Sequence, residues 1–338
     1  MTFDESLVTD YWHLVCHRSE VSRAGDYVRI ETSIGDIVVL NDGAGVIAFD
    51  NRCPHRGARF YSEVSGNRTA TCPYHGWTHR SGRMFVARKE RFSSCDLSNA
   101  RLRQFRAEWV EDFLFVGISP RMELVQQLGS HADMLRSMSK DIVARFDFNH
   151  YDYNCYWPIA IENALEPYHI DAIHPETLAT LQLEDGVNDL GDWSSVWSAP
   201  VGGRKMQKQL KAIGSLFSLV SPFPGYQSIY LFPFTMISST YGYSYSLQNF
   251  FPLDKNRTNF LSRMLVSRTK SEQAAQMLSS FFSSSAELNR KVFDEDHEIC
   301  KIIPYDAWSA EPLNFSADSE AKIQHFRKMC RRHSEWLK

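Results

Sequence analysis

Two short stretches carry the side chains best suited to bind metal: Cys53-Pro54-His55 and, after sixteen intervening residues, Cys72-Pro73-Tyr74-His75. Thiolate and imidazole serve both zinc and iron-sulfur sites. The arrangement distinguishes the two. Zinc fingers usually pair Cys with Cys and His with His, whereas here each loop offers one of each. If both thiolates hold one iron and both imidazoles the other, each loop must reach both irons. That is the ligand set of a [2Fe-2S] cluster in which His replaces Cys on one iron. Cys16, Cys95, Cys155, Cys300 and Cys330 have no partner at metal spacing and are expected to be small buried hydrophobes.

A second group of ligand types lies between Trp157 and Pro175, where Glu162, Glu166, His169 and His174 gather. The two histidines are five apart, about 140° around a straight α-helix, so they cannot share a face. His174 must therefore sit past a helix end, and Pro175 supports this by pushing the residue before it out of the α region. Two imidazoles suggest a mononuclear metal, which a carboxylate would complete as a 2-His-1-carboxylate triad with open positions. Leu288, Val292, Ile299 and Ile303 form an apolar helical stripe, and Asp296 falls within it. A carboxylate on a buried face needs a compensating partner. Asp294, Glu295 and Glu298 point further from the stripe and read as solvated charges, and His297 reads as a neighbour of the site.

The elements that must carry these groups change character along the chain. Tyr27 to Asp50 has β-branched runs around an Asn-Asp-Gly turn signal, a hairpin-rich region. Gly43 to Ala48 formally matches a dinucleotide fingerprint, but Phe49 to Pro54 leaves no room for the helix such a site needs. Short strands continue through Arg101 to Ile118, and a boundary falls near residue 119. Helices are predicted from Met122 to Ser139 and from Pro158 to Ile173. Gln227 to Pro252 alternates, with Tyr241, Tyr243 and Tyr245 on one face and Thr240, Gly242, Ser244 and Ser246 on the other. Ser271 to Ile303 is again helical, and Glu320 to Lys338 is a last amphipathic helix with a solvated basic face.

Composition narrows the class. The 338 residues (39.0 kDa) are 43% hydrophobic and 23% charged, a globular profile long enough for two domains. A formal charge of -3 and a pI near 6.5 argue against nucleic-acid or anionic-membrane binding. The uncharged run from 212 to 253 is broken by Pro222, Pro224 and Pro233 and holds no spanning segment. Seven scattered cysteines and the absence of a visible secretory signal fit a reducing cytoplasm.

The text CPHRGARFYSEVSGNRTATCPYHGW, Cys53 to Trp77, resembles the cluster loops of the Rieske ring-hydroxylating oxygenase family. ENALEPYHIDAIHP resembles the mononuclear iron motif of its α subunits, and EDHEICK the late segment that supplies their carboxylate ligand. The resemblance implies an α+β protein, with a β-rich Rieske [2Fe-2S] domain over 1–119 and a helix-grip (START-like) catalytic domain with an antiparallel sheet over 120–338. It makes Cys53, His55, Cys72 and His75 the cluster ligands, and His169, His174 and Asp296 the ligands of a mononuclear Fe(II). Glu166 takes the place of the bridging carboxylate between the Rieske histidine of one subunit and the iron site of the next. Many members have Asp there, and Glu resembles those acting on quaternary amines.

The implied activity uses O2, with electrons that come from NAD(P)H through a separate reductase, directly or by way of a ferredoxin. The assembly implied is a head-to-tail homotrimer of α subunits alone. The expected reaction is hydroxylation or oxidative demethylation of a small organic molecule; ring cis-dihydroxylation and non-enzymatic electron carriage are the alternatives. Phe232, Met236, Tyr241 and Phe250 are candidate pocket residues between the iron helix and the uncharged sheet. Arg204, Lys205 and Lys208 are read as a surface loop that could neutralise an anionic substrate.

Overall fold

Alternating apolar side chains give the chain up to Gly117 a set of short antiparallel strands. The computed structural model, which describes residues 2–183 and 186–337, arranges them in three small sheets. Trp12–His17 pairs with Phe113–Gly117, which pairs with Arg106–Val110. Val46–Asp50, Gly35–Asn41, Asp26–Thr32 and Ser65–Asn67 make the second sheet, and Ala70–Thr71, Thr78–Arg80 and Arg83–Phe85 the third. The glycine-rich Gly43 to Ala48 stretch is a hairpin turn: Gly43 has φ 90°, the Asp42 carboxylate accepts from the Ala44 and Gly45 amides, and a strand follows.

The rest of the chain is built on one seven-stranded antiparallel sheet. Its order is Ile142–Tyr153, Arg257–Ser267, Ser244–Asp254, Thr235–Thr240, Tyr226–Leu231, Ser194–Ala199 and Val187–Leu190. Strand parity divides its two faces. Ile229 and Leu231 pack with Leu128, Leu135 and the strand residues Leu14 and Phe115, whereas Tyr230 packs on Phe326 from the other side. Helices Trp157–Leu165, Ser279–Cys300 and Ala321–Trp336 cover that second side. Each large apolar side chain buried this way stabilises the fold by roughly 1.5–3 kcal/mol. Among the described residues no helix is long and apolar enough to cross a membrane.

One hydrophobic cluster runs across the sequence boundary near 119, joining Leu7, Val15 and Ile37 to Trp157, Phe260 and Phe326. The fully buried Arg263 bonds the Val15 carbonyl and the Asn249 side chain, and Asn249 donates to the Leu14 carbonyl at 3.1 Å. Polar groups therefore also lock the small sheets to the large one.

Several local expectations change. Tyr241 and Gly242 have φ 59° and 73° and form the hairpin turn between Thr235–Thr240 and Ser244–Asp254, so Tyr241, Tyr243 and Tyr245 do not share the face of one strand, and Gln227 to Pro252 spans three strands. The Met122 to Ser139 helix divides into Leu124–Leu128 and Ala132–Asp141 at Gly129, φ 53°. The Pro158 to Ile173 helix divides at Glu166-Pro167 into Trp157–Leu165 and Ile170–Ile173. Arg204, Lys205 and Lys208 lie on a helix, Arg204–Gly214, and are exposed on its outer side. The last helix buries Lys322 and Arg327, so its basic face is not uniformly solvated; Lys338 lies outside the described residues. Cys95 is exposed, whereas Cys16, Cys155, Cys300 and Cys330 are buried.

Candidate metal centres

The two Cys/His loops fold alike because each closes on its own cysteine. The Gly57 amide donates to the Cys53 carbonyl (2.8 Å) and the Cys53 amide to the Ala58 carbonyl (2.9 Å). The Gly76 amide donates to the Cys72 carbonyl (3.0 Å) and the Cys72 amide to the Trp77 carbonyl (2.7 Å). Gly57 and Gly76 take matching left-handed conformations, φ 75° and 74°, that a side chain would strain. Both thiols are buried in a cluster with Phe49, Phe60 and Trp77. Burial pushes the Cys53 thiol up, and the backbone amides of His55 and Arg56 act against it.

The His55 and His75 rings lie 4.7 Å apart between centroids. His55 stacks on Trp77 (4.9 Å, 9°) and His75 on Tyr74 (3.8 Å). His55 Nδ1 is buried with no hydrogen-bond partner, an orphan of the kind a metal satisfies. His75 is exposed at the tip. Two neighbouring free thiols and two neighbouring imidazoles, one with an unsatisfied nitrogen, are a donor set that fits a mixed-ligand [2Fe-2S] cluster.

The second constellation assembles from three segments. His169 follows the break at Pro167, His174 caps the short Ile170–Ile173 helix in a non-helical conformation, and Asp296 projects from the long Ser279–Cys300 helix. Their ligand atoms lie within 4.8 Å of one another. Asp296 Oδ1 is 2.9 Å from His174 Nε2 and 3.6 Å from His169 Nε2. The outer nitrogens are held by carboxylates: His169 Nδ1 donates to Glu166 Oε1 (2.6 Å), and His174 Nδ1 to Glu295 Oε2 (2.7 Å). Thr177 Oγ1 donates to the same Glu295 oxygen (2.9 Å), and Asn163 Nδ2 to Asp296 Oδ1 (2.7 Å). Burial alone would lower His174, but Asp296 and Glu295 outweigh it and hold the imidazole above its ordinary value. Two imidazoles and a carboxylate on one side, with the outer imidazole nitrogens anchored, fit a divalent iron.

Glu295 is a correction: it is not a solvated charge but a partner of the fully buried His174. A stripe reading misses it, because the residue beside Asp296 is about 100° round the helix and His174 comes in from that side. The signal available was chemical, since a metal-binding imidazole usually donates its other N–H to a carboxylate. Asn163 and Thr177 carried no such signal. Glu162 points away and pairs with Arg327 (2.7 Å). His297 stays outside the cluster, stacked on Tyr153 at 4.4 Å and accepting from the Asn154 amide.

A cavity of about 480 Å3 opens beside Asp296 and His169, between the long helix and the sheet. Its lining mixes aromatic and aliphatic side chains, such as Trp197, Tyr226 and Met236, with many hydroxyls and Gln248. Of the four pocket candidates only Met236 lines it. Phe250 has the right strand parity but lies beyond the cavity, packed on Phe260 at 4.8 Å; Phe232 packs on Tyr11 and Trp193; Tyr241 is in the turn.

Comparison with known proteins agrees with this geometry. Residues 11–92 match the family model of the Rieske [2Fe-2S] domain, and residues 141–336 that of the ring hydroxylating alpha subunit (catalytic domain). The chain belongs to the Rieske oxygenase α-subunit family. Such an α subunit carries a Rieske [2Fe-2S] cluster and a mononuclear iron.

This Rieske oxygenase α subunit is 32% identical over 202 residues to the carnitine monooxygenase oxygenase subunit of Escherichia coli (strain K12), covering 56% of this chain and 53% of that one. It is 28% identical over 196 residues to the anthranilate 1,2-dioxygenase large subunit of Acinetobacter baylyi, covering 54% and 42%. It thus spans about half the length of these curated relatives. Its fold superposes on the quaternary ammonium Rieske monooxygenase CntA in complex with L-carnitine, with a TM-score of 0.77 at 20% identity, over 98% of this chain and 90% of that one. The naphthalene 1,2-dioxygenase of Rhodococcus sp. gives 0.73 at 17% identity, over 98% and 91%.

Proposed function

We propose that this chain is the terminal component of a Rieske oxygenase system, and that it uses O2 to hydroxylate or oxidatively demethylate a small organic substrate. The observation that carries this reading is the His169, His174 and Asp296 cluster opening on a largely uncharged cavity. An electron carrier would need neither. Residues 1–119 form the cluster domain and 120–338 the catalytic domain. Cys53, His55, Cys72 and His75 hold the [2Fe-2S] cluster; His169, His174 and Asp296 hold Fe(II). When bound, the cluster supplies single electrons and the iron a site for O2.

The chain's own residues prepare that chemistry. Glu166 and Glu295 fix the two imidazoles, and Asn163 orients Asp296. The apolar part of the cavity wall excludes water. The exposed His75, and Glu166 at the end of the Trp157–Leu165 helix against His169, suit a head-to-tail homotrimer, in which Glu166 links His169 to the His75 of a neighbouring copy. Electrons come from NAD(P)H through a separate reductase, with or without a ferredoxin, in the cytoplasm. Carnitine and glycine betaine monooxygenases and an N,N-dimethyl phenylurea N-demethylase among the relatives favour a substrate that carries a methylated nitrogen.

The test is turnover under 18O2 with a Rieske reductase and NADH, against quaternary amines, N-methyl ureas and aromatic acids. One labelled oxygen in the product, or formaldehyde release coupled to NADH, is expected from protein with about three irons per chain. A doubly labelled cis-diol would establish the dioxygenase alternative. About two irons per chain and no oxygenated product would overturn the reading in favour of a carrier.

A further inference from the structure

Lys322, on the C-terminal helix, is 1% exposed. Its Nζ donates to the backbone carbonyl and to the hydroxyl of Ser228, both at 3.1 Å. Among the described residues no carboxylate lies within salt-bridge distance of it, unlike Arg327, which is paired with Glu162. A buried charge without a counter-ion is costly, and buried charges are ordinarily paired. Burial lowers this ammonium to about 7, with no anion to hold it up.

Ser228 connects that charge to the cavity. It lies on the Tyr226–Leu231 strand, with the parity that faces the cavity, and is one of its lining residues. Its hydroxyl oxygen accepts from Lys322 and has no other partner among the described residues, so its own proton is free to be donated into the cavity. No Lys or Arg is among the described lining residues, and the acidic groups among them are Asp296, in the metal cluster, and Glu166, which holds the outer nitrogen of His169. Arg204, Lys205 and Lys208 lie on the outer side of their helix.

We propose that Ser228, with Lys322 behind it, is the subsite that binds a carboxylate on the substrate. The hydroxyl donates to the carboxylate, and the ammonium polarises that hydroxyl and supplies the counter-charge through it. The cavity is in this way selective for small acids although no cation is among its described lining residues. The inference rests on the oxygenase reading in taking this cavity as the substrate's, but its test requires no turnover.

Anaerobic calorimetry of the iron-loaded protein would compare benzoate, hexanoate and γ-butyrobetaine, each beside its primary amide. At least one acid is expected to bind wild type ten times or more tightly than its amide. Lys322→Met and Ser228→Ala should each abolish that preference by weakening the acid and leaving the amide unchanged. Should Lys322→Met fail to fold, Ser228→Ala decides. Acids and amides binding alike, no acid binding, or the preference surviving in either folded variant would overturn the proposal. Failure of the oxygenase reading looks different: the acid preference persists while no substrate takes up labelled oxygen.

Discussion

Replacing Glu295 tests how far the metal cluster depends on residues that do not touch the metal. In Glu295→Ala, the fully buried His174 loses the carboxylate 2.7 Å from its Nδ1, and Thr177 loses the same acceptor. A hydrogen bond to a charged partner contributes about 1.5–3 kcal/mol, and a buried donor left unsatisfied costs a similar amount. Glu295 keeps 22% of its side chain exposed, so water reaches part of the site and the lower half of that range applies. Partners of this kind are typically worth 10–100-fold in metal affinity. We therefore expect Fe(II) at the mononuclear site to bind about tenfold more weakly in Glu295→Ala, and by a smaller factor in Glu295→Gln, which keeps an acceptor but not the charge. Anaerobic Fe(II) titration against a competing chelator measures this. The visible spectrum of the [2Fe-2S] cluster is the internal control, since its ligands lie between Cys53 and His75. Wild-type iron affinity in folded Glu295→Ala, with His174 still required for binding, would refute the argument.

Three further outcomes are expected. Glu166→Gln should keep both metals and the assembly but slow reoxidation of the reduced Rieske centre many-fold in single-turnover stopped flow; unchanged kinetics would leave Glu166 only its bonds to His169. Asp296→Ala and His169→Ala should abolish oxygenation with the [2Fe-2S] spectrum intact, and wild-type turnover in an iron-loaded Asp296→Ala protein would move the ligand assignment to another carboxylate. Lys322 falls from 10.5 to about 7 on folding, so between those values the unfolded chain holds a proton that the native state has released, and this group makes stability rise with pH across that window. Lys322→Met should flatten that rise and add about 3 kcal/mol at pH 6, read from denaturant melts at pH 6 to 10; an unchanged slope would show that another group causes it.

The metal ligands were legible because their chemistry forces rare residue types into fixed spacings. Cys53 to His75 declares a mixed-ligand site, and the five-residue interval from His169 already demanded that His174 sit past a helix end, as it does at the C-terminal end of Ile170–Ile173. What surrounds the ligands was less legible, since it depends on which faces meet in three dimensions. Glu295 looked solvated because a stripe drawn from Val292 and Ile299 describes only the helix's contact with the sheet, while His174 arrives from another segment. Phe232 and Phe250 are large apolar residues within the uncharged run, which alone makes them plausible wall residues. In the fold the largest rings fill the core, and the cavity is left where strand residues are small, at Ser228, Ser238, Ser244 and Ser246. The hydroxyl-rich alternation from Gln227 to Pro252 was therefore the better guide to the cavity wall than the aromatic residues beside it.

The C-terminal helix shows how one element can set both the metal and the sheet wall of the cavity. Arg327 and Lys322 are five positions apart, about 140° round the helix, and so meet different neighbours. Arg327 grips Glu162 through Nε and Nη2 at 2.7 and 2.8 Å, and Trp308 adds a third bond at 2.7 Å. Glu162 is next to Asn163 on the Trp157–Leu165 helix, and Asn163 holds Asp296. Breaking a buried pair of this kind leaves a charge uncompensated at a cost of about 3–5 kcal/mol, so the pairing fixes the helix that orients the metal's carboxylate. Lys322 reaches the sheet wall, where its partner among the described residues is Ser228. If burying cations were merely what this helix does to pack, both would have carboxylate partners. The contrast assigns Arg327 to the architecture of the iron site and leaves the charge of Lys322 to be met from within the cavity.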